Sequence, residues 1–211
     1  ARIVDEFKDY DEDLKYRPYR PVARGLITLN ELWVLFFICI VLQVLVTYFC
    51  SSLVSFVYLL TLWGFFALMS KEFFMKEIID KHILVGVIFD ELLMSVAVLY
   101  LASFIFPINP LRSIWSLLLM AYIASWIVEI ARKTRSAEDE EIGVKTYTAV
   151  YGIVKTMTLL IALEVAFCAI QTYILGTKYI SFTLALFVVT TIINLIFMLK
   201  KNRMMSKVVE L

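Results

Sequence analysis

The sequence predicts an all-α, multi-pass transmembrane helical bundle, and three observations predict it. Of 211 residues, 62% are hydrophobic and 18% charged, against about 45–50% and about 25% in a water-soluble domain; mean hydropathy is +0.85. The apolar residues gather into six runs, each near the roughly 20 residues that a helix needs to cross a hydrocarbon core of about 30 Å. None alternates apolar and polar positions over about ten residues, which excludes a membrane β-barrel and leaves helices as the way to satisfy the backbone in lipid. With six Gly and four Pro in the chain, collagen-like and low-complexity disordered classes are excluded as well.

The runs are Leu32 to Cys50, Leu53 to Met69, Ile83 to Phe106, Leu111 to Ala131, Met157 to Leu175 and Ile180 to Leu199. Ser51-Ser52 joins the first two as a tight hairpin, and Pro107-Ile108-Asn109-Pro110 closes the third with helix-breaking residues. Four longer polar stretches remain: Ala1 to Glu31, Ser70 to His82, Arg132 to Thr146 and the tail from Lys200. If every run crosses, all four lie on one side, and that side carries seventeen of the twenty Lys and Arg. Only Arg112 and Lys178 fall opposite, with Lys155 near the start of the fifth run, so the positive-inside rule places the loop-bearing face in the cytoplasm. The chain opens Ala1-Arg2 in what reads as a polar helix end, and residues 1–211 are therefore read as a fragment, one transmembrane domain whose first helices are missing. A net charge of +1 gives no global basic field for nucleic acid; membrane lipid is the expected surrounding. Cys39, Cys50 and Cys168 stand singly in apolar runs and read as small core residues.

Chemistry concentrates in the polar stretches. In a helix Asp5, Asp9 and Asp13 recur every four residues along one face, an acidic stripe about 12 Å long. Asp is a weak helix former and like charges at that spacing repel; Mg²⁺ bridging a phosphate substrate would remove the conflict, while a solvated surface charge run is the plainer alternative. Arg17-Pro18-Tyr19-Arg20-Pro21-Val22-Ala23-Arg24-Gly25 follows. Together these stretches resemble the first motif of the UbiA superfamily of intramembrane prenyltransferases, Asn-Asp-x-x-Asp-x-x-x-Asp followed by Arg-Pro-x-Arg-Pro and a Gly. Asp9, Asp13, Arg17, Pro18, Arg20, Pro21 and Gly25 match in register, with Asp5 and Glu6 in place of the leading Asn and Asp.

A second acidic group, Glu138-Asp139-Glu140-Glu141, precedes Gly143-Val144-Lys145-Thr146 and Gly152. It is similar to the family's second motif, in which Asp-x-x-x-Asp precedes Gly-x-(Lys/Arg)-Thr. Asp139 falls on the final aspartate, but Arg135 stands where its partner should be. Glu129, Glu138 or Glu141 supplies the missing carboxylate, or Arg135 meets the diphosphate directly. Arg132 lies one turn from Glu129 on the same helix face, which suits a structural ion pair as well as an anion site. Lys71 ends the second run, where the family carries a basic residue over the active site; an interfacial anchor accounts for it equally. His82, the single histidine, begins a membrane helix and reads as an interfacial residue. Asp90, Glu91 and Glu164 sit inside apolar runs, where ionisable groups face a bundle interior or a wet cavity; Asp90 is a candidate pocket-wall residue.

The resemblance implies a nine-helix bundle whose two acidic motifs face each other across a cavity at the cytoplasmic side. It further implies Mg²⁺ held by Asp5, Glu6, Asp9, Asp13, Glu138 and Asp139, with Asp9, Asp13 and Asp139 central to catalysis. Arg17, Lys71, Arg132, Arg135 and Lys145 would bind the diphosphate of an isoprenyl donor, whose chain passes to a hydrophobic acceptor, aromatic or lipid. Two other classes stay open: a cyclase of the same superfamily that uses the isoprenyl diphosphate alone, and a membrane carrier whose acidic loops bind cations without chemistry. The six-run threading is tested by cysteine substitution and labelling in intact membranes. Arg24, Lys76 and Lys133 should label from the cytoplasmic side and Asn109 and Lys178 from the other; a cytoplasmic Lys178 breaks the count.

Overall fold

The computed structural model describes residues 2–8, 10–105, 110–140, 145–200, 204, 208 and 209. Every regular element among them is helical. Short helices α1 (Arg2–Lys8) and α2 (Tyr10–Tyr16) precede α3 (Leu29–Cys50) and α4 (Leu53–Ser70). A single turn, Glu72–Phe74, leads to α5 (Lys76–Lys81), then α6 (Ile83–Asp90), α7 (Leu92–Ala102) and α8 (Pro110–Arg132). After α9 (Tyr147–Tyr151) come α10 (Ile153–Leu175), a turn at Thr177–Tyr179, and α11 (Ile180–Lys200). Among the described residues six helical stretches are long and apolar enough to cross a membrane. They fall where the six apolar runs predict, the third being α6 and α7 in sequence, interrupted at Glu91.

Local chemistry sets the ends. Thr28 begins α3 with a reciprocal cap, its hydroxyl accepting from the Glu31 N–H at 3.2 Å while the Glu31 carboxylate accepts from the Thr28 N–H at 2.7 Å. This satisfies two backbone donors at the end of a helix that is otherwise apolar all round. Gly152 (φ 80°) separates α9 from α10, and Gly176 (φ 78°) ends α10; a side chain at either would be forced into the left-handed region. The faces of these helices stay apolar and open, with Phe49 76%, Leu53 81% and Leu199 83% exposed, as expected of surfaces that hydrocarbon covers.

The described chain divides into two compact units, residues 1–82 with 96–113 and residues 83–95 with 114–211. In the first, rare polar side chains tie the helices: the Trp63 indole N–H donates to Gln43 Oε1 at 2.9 Å, and the hydroxyls of Thr47 and Tyr100 meet at 2.6 Å. Phe7 packs its ring 4.8 Å from that of Trp33, which seats α1 against the start of α3. In the second unit Val87, Ile130, Tyr147, Met157, Leu160, Phe197 and Val209 form the core. There the Asn194 amide on α11 donates to Glu164 Oε1 on α10 at 2.9 Å, both residues buried. Such bonds between membrane helices are worth about 0.6–2 kcal/mol each. Asn194→Leu should therefore lower the thermal midpoint in detergent by the equivalent of about 1 kcal/mol; a midpoint equal to the parent's shows that the pair carries no stability.

Candidate functional site

In the first unit the acidic stretch is helical on both sides of position 9, which lies outside the described residues, as do the side chains of Asp5 and Glu12. Glu6 and Asp13 are withdrawn from solvent, 9% and 3% exposed, whereas Asp11 is exposed. A carboxylate this deeply buried needs cations or donors, because desolvating a charge costs several kcal/mol. Asp13 has two. Its Oδ2 meets Arg20 Nη1 at 2.6 Å and its Oδ1 meets Arg17 Nη1 at 3.4 Å.

The backbone brings those guanidinium groups round. The Arg17 N–H donates to the Asp13 carbonyl at 2.9 Å, continuing the helix by one residue, and the Arg20 N–H donates to the Arg17 carbonyl at 3.0 Å. Pro18 and Pro21 cannot propagate a helix, so the segment closes as successive turns up to Gly25, whose φ of 78° reverses the chain toward α3. The sequence motif holds Asp13, Arg17 and Arg20 together; the ion pairing among them was legible only in three dimensions.

The basic residue at the end of α4 sits beside a strained turn. Lys71 is exposed and caps α4, its N–H donating to the Leu68 carbonyl at 3.1 Å. Glu72, Phe73 and Phe74 then all take positive φ, 51°, 51° and 58°. Three successive non-glycine residues in the left-handed region cost about 1–2 kcal/mol each, and Phe73 offsets part of this by packing its ring 5.4 Å from that of Phe65.

The second acidic loop is held from its C-terminal end. Thr146 caps α9, accepting from the Ala149 N–H at 3.1 Å and donating its own proton to Glu140, whose oxygens lie 2.6 and 2.8 Å away. Thr148 accepts from the Arg135 N–H at 2.9 Å and donates to Glu140 Oε1 at 3.0 Å. Each hydroxyl thus accepts from a backbone N–H and has Glu140 within reach of its own proton, and the two hydroxyls lie 3.3 Å apart. Ser136 donates to Asp139 Oδ2 at 3.3 Å and accepts, through its carbonyl, the Asp139 N–H at 2.9 Å. Arg135 and Asp139 are half-buried; Glu138, Arg132 and Lys145 are exposed. Glu141 and Gly143 lie outside the described residues. Glu140 is the residue that motif matching passed over, and its signal was Thr146, a hydroxyl in a helix-capping position six residues on.

Before the loop, Glu129 on α8 accepts from both following cations, Arg132 Nη2 at 2.5 Å and Lys133 Nζ at 2.6 Å. The ion-pair account of Arg132 thus holds in this structure. Asp90 is exposed at the end of α6 and Glu91 half-buried at the interruption that follows. The Tyr147 phenol is pushed up, first by burial and then by the carboxylates of Glu129 and Glu91. Among the described residues no three His, Cys, Asp or Glu side chains stand together as a metal site.

The chain matches the model of the UbiA prenyltransferase family over residues 1–208. No curated protein and no solved structure matches it. Removing Arg20 takes from the buried Asp13 carboxylate the closer of its two cations and leaves Arg17 at 3.4 Å. Arg20→Ala should cost about 2–3 kcal/mol of stability, below the full cost of a completely buried pair because Arg20 is 22% exposed, and Asp13→Asn in the same background should cost little more. Additive losses in that double-mutant cycle, read from thermal unfolding in detergent, contradict the pairing.

Proposed function

The chain belongs to the UbiA prenyltransferase family, a multi-pass membrane fold, and on that premise we propose that it moves an isoprenyl group from an allylic isoprenyl diphosphate to a hydrophobic aromatic or lipid acceptor within the membrane, with Mg²⁺. The observation that carries the reading is the Asp13, Arg17 and Arg20 cluster: carboxylate and guanidinium groups packed at one place are what a metal-bound diphosphate demands. The donor set fits the ion. Glu6 and Asp13 are buried acids, and carboxylate oxygens are the hard ligands that Mg²⁺ takes. Asp5, Glu6, Asp9, Asp13, Glu138 and Asp139 are the proposed ligands, with Asp9, Asp13 and Asp139 closest to the chemistry. Bound there, Mg²⁺ supplies Lewis-acid neutralisation of the departing diphosphate.

The side chains do the rest. Arg17, Lys71, Arg135 and Lys145 bind diphosphate oxygens, joined by Arg132 when it exchanges Glu129 for the substrate. The Arg135 guanidinium is a planar fork able to take two oxygens at once, and the Glu140 staple on Thr146 and Thr148 holds the backbone from which it extends. As the allylic C–O bond breaks, these cations meet charge where it accumulates, while the apolar helices hold the isoprenoid tail and keep water from the cation. The chain acts as one domain, and the basic loops face the cytoplasm by the Lys and Arg bias.

Diphosphate release by the purified chain, with geranyl diphosphate and graded Mg²⁺, tests this. Chelation should abolish it. Asp9→Ala should lower the rate by at least about 100-fold, the order expected when transition-state charge loses a stabilising partner, and Asp11→Ala, at an exposed position, by less than about threefold. Arg135→Asp should weaken donor use; a variant as active as the parent makes position 135 a passive loop site. Turnover that persists without divalent cations removes the reading.

A further inference from the structure

The second acidic loop is fastened to its own C-terminal end, and one side chain takes part in more than one of the bonds that do it. The two ends of the loop are joined by backbone: the Tyr147 N–H donates to the Lys133 carbonyl at 3.2 Å. Any residue but proline makes that bond. The Tyr147 ring, 1% exposed in the core of its unit, seats it there by burial, since the phenol hydroxyl has no hydrogen-bond partner among the described residues. One step further in, the Arg135 N–H donates to Thr148 Oγ1 at 2.9 Å. From the middle of the loop Glu140 reaches back, its Oε1 lying 3.0 Å from the same Thr148 Oγ1 and both its oxygens within 2.8 Å of Thr146 Oγ1.

Thr148 is where the start, the middle and the end of the loop meet. A hydroxyl has one proton to give and lone pairs to accept with, and at Thr148 the two capacities face different segments: the Arg135 N–H comes in, and Glu140 stands within reach of the proton. A carboxylate drawing on that proton makes the hydroxyl oxygen a better acceptor for the N–H, so the two bonds reinforce each other. Thr148 is buried, and water does little to replace either of them. The neighbours of these fastened residues are the groups assigned to the donor. Arg135 carries its guanidinium from the pinned backbone, Asp139 directly precedes Glu140, and Lys145 directly precedes Thr146. Thr148 itself lies two residues past the Gly-x-(Lys/Arg)-Thr element, where no motif position marks it, and Arg135 is the residue at which this chain leaves the motif.

We propose that Thr148 is a positioning residue for the donor site: its hydroxyl, held by Glu140, sets the register between Arg135 and Asp139 that a metal-bound diphosphate requires. For what is bound this rests on the prenyl-transfer reading; for the register of the loop it does not. Thr148 touches neither donor nor metal and acts through the backbone of position 135 and the carboxylate of position 140. Backbone fastened before the donor arrives loses less conformational entropy when the donor binds. The gain therefore falls on affinity for the diphosphate and its metal.

Thr148→Val tests this, because it keeps the shape of the side chain and the Tyr147 backbone bond and removes the hydroxyl. In the full chain in lipid nanodiscs, hydrogen exchange resolved to single amides should show the Arg135 N–H exchanging at least about tenfold faster in Thr148→Val, the scale of one lost hydrogen bond. The Tyr147 N–H should be unchanged, and Thr148→Ser should restore the parent's rate. Binding of geranyl S-thiolodiphosphate, a donor analogue whose bridging sulfur resists cleavage, is then followed at limiting Mg²⁺. Thr148→Val should weaken it about tenfold and Thr148→Ser by less than about threefold. Arg135→Ala decides whether the effect runs through Arg135: it should weaken the analogue about tenfold in the parent and less than about threefold in Thr148→Val, where the guanidinium is already out of register. Equal losses in the two backgrounds, an unchanged Arg135 exchange rate, or Thr148→Val binding like the parent overturns the proposal. If Thr148→Val does not fold, Glu140→Ala, which removes the acceptor of the Thr148 proton, takes its place in the same binding cycle. Mg²⁺-dependent diphosphate release by the parent with no loss of binding in Thr148→Val sinks the positioning role and spares prenyl transfer; analogue binding that depends on Thr148 without turnover of geranyl diphosphate does the reverse.

Discussion

Hydrocarbon offers no hydrogen-bond partner, and the rest of this structure follows from that lack. Each backbone group within the six apolar stretches must find its partner in its own helix, which is why the described residues hold helices and no alternation of pleated strands. Several polar side chains inside them are matched across helices: Gln43 with Trp63, Thr47 with Tyr100, and Glu164 through one of its oxygens with Asn194. Charge that cannot be matched is driven to the loops. The same pressure that clears the spans therefore concentrates carboxylates and guanidinium groups at their ends, where chemistry on a charged headgroup with a greasy tail can be done.

Concentrated charge brings its own constraint, since like charges crowded together raise each other's energy. The acidic segment answers it by folding back on its own arginines: Asp13, nearly inaccessible, rests on Arg17 and Arg20. Glu129 does the same with the cations that follow it, and Glu140 accepts hydrogen bonds from two hydroxyls. These contacts give described charged residues of both acidic stretches partners within the chain.

Much of the fold was legible in the sequence because lipid enforces a simple rule on length and composition. The predicted start at Leu32 is three residues late only because the Thr28 to Glu31 cap extends the helix into polar residues. The break at Glu91 was not legible: Asp90-Glu91 read as ionisable residues within one apolar run, and hydropathy does not register a single interrupted turn. Of the candidate site, residue identities and register were readable, since Asp9, Asp13, Arg17, Arg20, Asp139 and Lys145 fall at motif positions. The pairings were not. Nothing in spacing distinguishes Glu138 from Glu140, yet one is exposed and the other clamps Thr146 and Thr148; that choice depends on how the loop closes on α9. Tyr147 read as one more aromatic residue among many, because burial without a partner is a property of packing and leaves no trace in composition.

The central claim is that an isoprenyl chain leaves its diphosphate and becomes covalently attached to an acceptor in the membrane. The most direct measurement follows the carbon: the full chain in nanodiscs is supplied with Mg²⁺, a geranylgeranyl diphosphate carrying isotope at its first carbon, and a hydroxyl-bearing hydrophobic acceptor, and the products are resolved by mass spectrometry. The account predicts labelled acceptor and free diphosphate in a one-to-one ratio. Labelled hydrocarbon or terpene alcohol in place of labelled acceptor, or an intact donor after prolonged incubation, would contradict it.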